Sequence, residues 1–523
     1  MVCVRQDCPC FYNRSIRSHA NPAQRNDTPH ALRLRIWSQL PLRLAAASRA
    51  TVSPPRSGSW REGSLAIYVG QPHHGFCPRL IACAMLGSVI HKMSDRYDEH
   101  YINSVTALGD RIEVVTTQAI FNRNGMKLID KGARINSAMR DKLVLHKLTP
   151  DIDQCLSAAN GISQIELREH AREILENEPR FQRVRLALNG VEKLLNAFYA
   201  MPLNAPLTFK LTVAREQRPE IFEHSIQMAL IALFLAIKSR LPDQELATVA
   251  AASMLHDIGE LHIDPALLRA DHPLNADELR HVYVHPMTAF LILQAYPQFH
   301  PEISTAVFEH HERLDGSGYP RGLKGEEISQ LGKILMLAEA VTTLYEKSWR
   351  AHGAARLSMM LRMNRRKLDP ELVGHLVSLL HNGEQPNLDM PSETSSNTVL
   401  KQLDQLAEVF TSWRDARQAS LNSSPHATES PVVTFVNRRL VALERTLLET
   451  GFHTDTLAAL TMGIEDDDDA LAEIVLMTSE SRRQVSDILK EVRRRWAEFK
   501  VSGDSVVVVE EWVKGAEALL QMD

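Results

Sequence analysis

The chain has 523 residues, 44% hydrophobic and 24% charged, an ordinary globular composition that excludes a wholly disordered or fibrous protein. Its 59 basic and 64 acidic residues leave a formal charge of −5, which argues against a protein built to coat nucleic acid. At roughly 150 residues per domain the length predicts about three domains. With a mean hydropathy of −0.20 and no run of ~18 apolar residues, no membrane-spanning helix is expected.

Residues 1–93 differ from the rest. Through position 61 there are ten arginines, no lysine and two acidic residues, Asp7 and Asp27. Pro and Ser are frequent and no apolar period persists, so this segment cannot bury enough surface to offset its ordering entropy. It is expected to be disordered, or to precede a true translation start at Met85 or Met93. Five of the six cysteines (Cys3, Cys8, Cys10, Cys77, Cys83) fall here, without the spacing of a disulfide framework or a zinc site. A reducing cytoplasm is expected.

Residues 94–160 read as a small α+β module. Arg111–Val115 and Met126–Ile129 predict strands, Asn122–Gly125 and Lys131-Gly132 turns, and Ser137 a cap for a helix running through Met139, Leu143 and Leu148. His146 on that helix reads as a surface residue. Residues 161–206 predict a helical connector, a helix pair over 161–200. The block 207–381 is almost entirely helical in pattern, with Ile226–Ile237, despite Gln227, as a buried helix. Residues 382–398 read as a linker. From 399 to 523 three or four amphipathic helices recur, broken at Asn422–Pro425. The acidic run Glu465–Asp469 reads as a solvated helix start. Ser481–Val501, with Arg493-Arg494-Arg495, reads as an amphipathic helix with an exposed basic face; the alternative is a dimer or partner surface.

The chemistry concentrates between 220 and 339. In order stand Glu220, His224, His256-Asp257, His285, His310-His311 and Glu339. One histidine on a helix is ordinarily a matter of packing. An ordered series with two adjacent pairs is not, because neighbours at a helix end point in different directions and can serve two metals, or a metal and a substrate oxygen. Imidazole with carboxylate suits Fe, Mn, Zn or Ni.

His256-Asp257-Ile258-Gly259, with the run from His310-His311-Glu312-Arg313 through Gly318-Tyr319-Pro320 to Gly325, resembles the HD-GYP family, a branch of the HD metal-dependent phosphohydrolases. The spacing of His224, of His285-Pro286 and of Leu368–Val373 fits too. The resemblance covers about 207–381. It implies a mainly α protein: an HD-type helical bundle with a small α+β N-terminal module and a helical C-terminal region. It also implies two or three divalent metal ions, Fe or Mn, held by His224, His256, Asp257, His285, His310, His311, Glu339 and Glu220. The implied activity is hydrolysis of cyclic di-GMP to pGpG or GMP in bacterial signalling. His256 and Asp257 would be the catalytic pair, Asp257 bridging two ions ~3.5–4 Å apart whose shared water attacks phosphorus. Arg313, Lys347 and Arg350 would contact substrate phosphate.

Three departures bear on this. Glu260 stands where the family has a phosphate-facing lysine; at ~4 Å and an effective dielectric of ~20 each sign is worth about 4 kcal/mol before screening. Glu339 replaces an aspartate ligand and is one methylene longer. Lys347-Ser348-Trp349-Arg350 replaces Arg-Pro-Tyr-Arg, with a point charge where the fork of arginine is usual. Two alternatives therefore stand beside the phosphodiesterase: a non-catalytic signalling or partner-binding module, and a phosphohydrolase for another nucleotide. The candidate partners are a cyclic dinucleotide, a signalling protein and a second copy of the chain; neither DNA nor a membrane is expected.

Overall fold

The protein is described by a computed structural model over residues 97–523, apart from 270–271, 273, 297–298, 349–352, 381–395, 424–429, 450–467, 500–503 and 521–523. The arginine-rich N-terminal segment with its cysteines and both candidate start methionines lies outside the described residues, as does most of the 382–398 linker. The described chain is mainly helical, with a small α+β module at its N-terminal end and a helical C-terminal region.

The module opens with α1 (Tyr97–Arg111). Tyr101, Ile102, Val105 and Leu108 recur at helical spacing and are all buried, so one face of α1 joins the core. The helix takes up Arg111, and strand β1 (Val114–Thr116) starts later than the apolar pattern predicts. Strand β1 pairs antiparallel with β5 (Leu156–Ala158). Strand β2 (Ile120–Asn122) lies between β3 (Lys127–Ile129) and β4 (Leu148–Thr149). The Asn122 carboxamide oxygen closes the β2–β3 turn by accepting from the backbone N–H of Asn124 and Met126, at 3.0 and 2.9 Å. The helix expected from Ser137 is cut short. Asn136, not Ser137, accepts the capping bond, α2 spans only Arg140–Val144, and Leu148 faces the core from β4. Pro150 keeps Thr149 out of the helical region and so favours the extended β4 there.

Three helices fill the connector where a pair was expected: α3 (Gln164–Asn177), α4 (Pro179–Ala187) and α5 (Glu192–Tyr199). Ser163 and Glu166 form a capping box at the start of α3, and Pro179 restarts the chain at the first turn of α4. The central bundle follows as α6 (Ala205–Gln217), α7 (Pro219–Lys238), α8 (Asp243–Leu255), α9 (Ala276–Val282), α10 (His285–Gln294), α11 (Pro301–Glu309), α12 (Gln330–Ser348), α13 (Gly353–Met363) and α14 (Pro370–Leu380). Helix α7 is its axis, packed on α8 and α12. Every residue from Met228 to Ala236 is buried. Each large side chain there is worth ~1.5–3 kcal/mol in apolar burial. Among the described residues α7 alone is long and apolar enough to cross a bilayer, and 78% of that stretch is buried inside the protein.

The C-terminal region has its own core. Helices α15 (Ser396–Ser423), α16 (Pro431–Glu449), α17 (Asp468–Arg495) and α18 (Asp504–Leu519) gather around Trp413 and Trp512, whose rings lie 4.8 Å apart. Met359 and Met363 of α13 enter this second core and tie it to the bundle. The exposed basic face expected at Arg493–Arg495 is not there. Arg493 pairs with Glu517 at 2.8 Å and Arg494 with Glu491 at 2.6 Å, while Arg495 lies over the rings of Phe435 and Phe499. Aromatic faces and carboxylates inside the fold take up all three guanidinium groups.

Candidate metal centre

Five of the seven ligand-type residues sit at helix ends. His256 caps the C-terminus of α8, and Asp257 opens the 3-10 turn Ile258–His262. That turn presses onto the start of α10 through Gly259. A Cβ there would lie 2.2 Å from the His285 carbonyl oxygen, so only glycine fits. His285 begins α10, and His310 and His311 follow the last residue of α11. His224 and Glu339 come from the middle of α7 and α12.

These residues form two groups, in each of which the potential ligand atoms all lie within 4.8 Å of one another. One holds Asp257, His285, His310 and His311; the other holds His224, His256 and Glu339. Asp257 reaches both. Its Oδ1 is 3.3 Å from His285 Nε2 and 3.6 Å from His310 Nε2, and its Oδ2 is 2.9 Å from His256 Nε2. Glu339 Oε2 is 2.8 Å from His224 Nε2 and 3.6 Å from His256 Nε2, so the longer side chain still reaches its partners.

The histidine tautomers are fixed by the backbone. The Nδ1 atoms of His256, His285 and His310 donate to the carbonyls of Ser253, Val282 and Val307 at 2.7, 2.8 and 2.6 Å. Each Nε2 therefore turns its lone pair inward, as a metal-binding imidazole does. His285 Nε2 lies only 3.3 Å from His310 Nε2 and 3.1 Å from His311 Nε2. The Nε2 atoms of His285 and His310, whose protons sit on Nδ1, face each other with lone pairs that a cation can share, while His311 Nε2 can donate to His285 Nε2. The buried atoms His256 Nε2 and Asp257 Oδ1 have close ionic neighbours but no well-aligned hydrogen bond. The donor set of imidazoles and carboxylates thus fits divalent metal ions.

The electrostatics agree. Burial opposes ionisation of Asp257 and Glu339, yet the histidines around them hold both well below the usual carboxylate range. Burial also opposes charge on His256, but the Asp257 carboxylate lifts it to about 9. Burial and its neighbour His310 push His285 down to about 4, and His311 is lowered by the same causes. The two carboxylates stay ionised while His285 and His311 stay neutral, so the centre offers both negative charge and lone pairs to a cation.

Other expected residues fall elsewhere. The fold does not bring Glu220 into either group: its side chain is 64% exposed and accepts from Arg218 Nε at 2.6 Å. With Arg218, Arg269 and Glu260 it lines a cavity of about 340 Å³. Glu260 comes within 4.0 Å of His285 Nδ1, and burial together with the Asp257 charge raises its carboxyl to about 8. Arg313 donates to the Glu312 carbonyl at 2.7 Å and borders a larger cavity of about 700 Å³ with His311, Tyr319 and Glu339. Arg350 and the side chain of Lys347 lie outside the described residues.

Two features escaped the sequence. Glu309 and Glu312 are loop braces. Glu312 accepts from the backbone N–H of Arg321 and Leu323, and Glu309 from Arg321 Nη2 and from Ser329. They hold the Gly316–Pro320 loop so tightly that a Cβ on Gly318 would meet Glu312 Cα at 2.3 Å. Tyr319 stacks on His311 at 4.6 Å and on Tyr283 at 4.3 Å, which fixes the His311 ring. Nothing in the local sequence around Tyr283 signals that role.

Residues 210–372 match the family model of the HD domain. Over 140 residues the chain is 31% identical to the cyclic di-GMP phosphodiesterase PA4108 of Pseudomonas aeruginosa, covering 26% of this chain and 34% of that one. It is 28% identical over 215 residues to the 3'3'-cGAMP-specific phosphodiesterase 3 of Vibrio cholerae, covering 39% and 46%. It is 29% identical over 157 residues to the cyclic di-GMP phosphodiesterase response regulator RpfG of Xanthomonas campestris, covering 29% and 41%. The chain spans less than half the length of each of these relatives.

Proposed function

We propose that residues 210–372, which match the HD domain, are of the HD-GYP branch, and that the protein is a metal-dependent phosphodiesterase that opens a cyclic dinucleotide, cyclic di-GMP first among them. The observation that carries this reading is the pair of ligand groups sharing Asp257, beside a cavity large enough for a nucleotide. Small-molecule sites run to roughly 300–1,000 Å³, and this cavity falls within that range.

His224, His256 and Glu339 would hold one ion, and Asp257, His285, His310 and His311 a second. We assign two ions, Fe or Mn, because Glu220 lies apart from both groups. Bound ions of this kind supply Lewis acidity and lower the pKa of water. The chain supplies the rest. The carbonyls of Ser253, Val282 and Val307 hold the Nδ1 protons and keep each Nε2 free. Tyr319 keeps the His311 ring in place. Arg313 offers its guanidinium to substrate phosphate, with Lys347 and Arg350 as further phosphate contacts. Glu260, its carboxyl raised by burial, presents less negative charge to an approaching phosphate than a free glutamate. We place the activity in the cytoplasm, where reducing conditions suit the free, buried thiol of Cys155.

The test uses the full chain purified anaerobically under reducing conditions. Metal content is measured, then cyclic di-GMP and 3'3'-cGAMP are followed by chromatography side by side. Two ions per chain and a linear product are expected. The double substitution His256→Ala with Asp257→Ala should remove both metal and turnover while the circular dichroism stays helical. The loss should exceed the roughly 10–100-fold typical of an outer-shell change. Turnover that survives in the double variant overturns the assignment. Faster cleavage of cGAMP would keep the chemistry and change the substrate.

A further inference from the structure

The larger cavity is shared between the bundle and the C-terminal helices: His311, Arg313 and Glu339 border it on one side, Arg439 of α16 and Arg483 of α17 on the other. Its charges do not cancel. Arg483 is satisfied by Glu480 at 2.6 Å and Asp487 at 2.8 Å, and Glu491 by Arg494 at 2.6 Å. Of the six other cations in the lining, four bear on this. Arg313 donates only to a backbone carbonyl. Lys367 Nζ donates to Gln484 Oε1 at 3.1 Å and has no carboxylate within 4 Å among the described residues. Arg356 Nε is buried with no hydrogen-bond partner. Arg439 has one long ion pair, 3.7 Å to Asp315, and lies over the Phe435 ring at 5.3 Å. Burial disfavours the charge on Lys367 and Arg439, and Asp315 offsets that only in part. With seven cations against five carboxylates in its lining, the cavity carries net positive charge and can take an anion.

A cyclic dinucleotide carries two phosphodiesters, and the metal groups can engage only one at a time. We propose that the C-terminal helices complete the substrate pocket, with Lys367 and Arg439, supported by Arg313 and Arg356, holding the second phosphate. This rests on the phosphodiesterase reading above. It makes residues outside the HD domain determinants of dinucleotide over mononucleotide binding. A cyclic mononucleotide has no second phosphate for them to hold.

The test is equilibrium binding of a non-hydrolysable phosphorothioate analogue of cyclic di-GMP to the metal-loaded full chain. Arg439→Gln and Lys367→Met should each weaken binding by about tenfold or more, since each removes a charge-assisted hydrogen bond. Lys367→Arg, which keeps the charge, should restore it. Cyclic GMP should bind more weakly than the dinucleotide and be insensitive to these changes. Asp315→Asn separates anion binding from domain docking. It breaks the contact to Arg439 without removing the cation, so affinity should hold or rise. Undiminished affinity in Arg439→Gln and Lys367→Met overturns the proposal, as does a loss in Asp315→Asn equal to that in Arg439→Gln. Absence of dinucleotide binding by the wild type overturns it too. Whether the phosphodiesterase reading falls with it is then decided separately, by metal-dependent cleavage of bis(4-nitrophenyl) phosphate, which has one phosphate and needs only the metal groups.

Discussion

The two flanking regions meet the metal-binding bundle in opposite ways. On the N-terminal side the contact is dry. Lys210 of α6 and Asp153 of the module are 2% and 8% exposed, and their charges sit 2.7 Å apart. The Lys210 ammonium also lies 3.8 Å above the Tyr101 ring and 3.3 Å from His262 Nε2, and the Tyr101 hydroxyl donates to Asp153. Tyr101 stacks on His262 at 4.7 Å. His262 ends the turn that Asp257 begins, so this network reaches the metal ligands along a short stretch of chain. On the C-terminal side a second core meets the bundle through Met359 and Met363, and beside that contact lies an open cavity whose Lys367 and Arg439 have only weak partners. A desolvated ion pair demands its one partner; a hydrated charge can trade water for a ligand. The first interface fixes geometry, and the second is free to bind.

The largest effect should come from breaking the dry side. Lys210→Met leaves Asp153 buried without its cation, a change that costs ~3–5 kcal/mol where one partner of a buried pair is removed. Urea unfolding of the full chain, with hydrogen exchange over 97–160 to locate the loss, measures it. The weakening should be concentrated in the module and in the turn bearing His262. A cost under ~1 kcal/mol, the range of exposed pairs, would erase the contrast.

That contrast was only half legible in the sequence. The fold gathers His224, His256, Asp257, His285, His310, His311 and Glu339 because each follows or interrupts an apolar helix whose period can be read locally. Glu220 shares a helix with His224, yet Arg218, two residues before it, draws its carboxylate outward. The braces Glu309 and Glu312 look like any other acids until the loop folds back on them. The charged cavity depends on partners far apart in the chain, such as Lys367 and Gln484, separated by 117 positions. No local period carries such pairing. The arginine run at 493–495, read locally, suggests a free basic face; its acceptors Glu517 and Glu491 and the rings of Phe435 and Phe499 appear only in three dimensions.

A smaller effect is expected on the C-terminal side. Glu480 of α17 accepts from Asn364 Nδ2 at 2.8 Å and Gln484 Nε2 at 2.9 Å, linking the second core to the chain beyond α13. Burial opposes its charge, but Arg483 holds its carboxyl below the ordinary value of 4.5. A depressed carboxyl contributes its stability above the unfolded value and loses it as pH falls through the folded one. Acidification below about pH 4.5 should therefore loosen this side first. Glu480→Gln, which keeps one acceptor, should cost ~1–2 kcal/mol. Thermal unfolding followed through Trp413, Trp496 and Trp512 reads both. A cost equal to that of Lys210→Met would mean that buried charge locks the C-terminal side as well.

The smallest effect belongs to a pair that is neither dry nor part of the cavity. His170 of α3 contacts Glu223 of α7 at 3.0 Å, with side chains 36% and 42% exposed. The hydrogen bond that His170 Nε2 donates to the Glu223 carboxylate raises its pKa above 6.5 despite partial burial. A raised histidine stabilises the fold fully below its unfolded value and stops doing so as pH climbs through the folded one. Solvent screening limits such a pair to a few tenths of a kcal/mol, up to about 1. His170→Gln should therefore lose a small stability advantage near pH 6 and match the wild type at alkaline pH. A pH-independent loss would mean that His170 acts by packing on Phe222, whose ring centroid lies 6.1 Å away, and its charge would then contribute nothing to holding the connector.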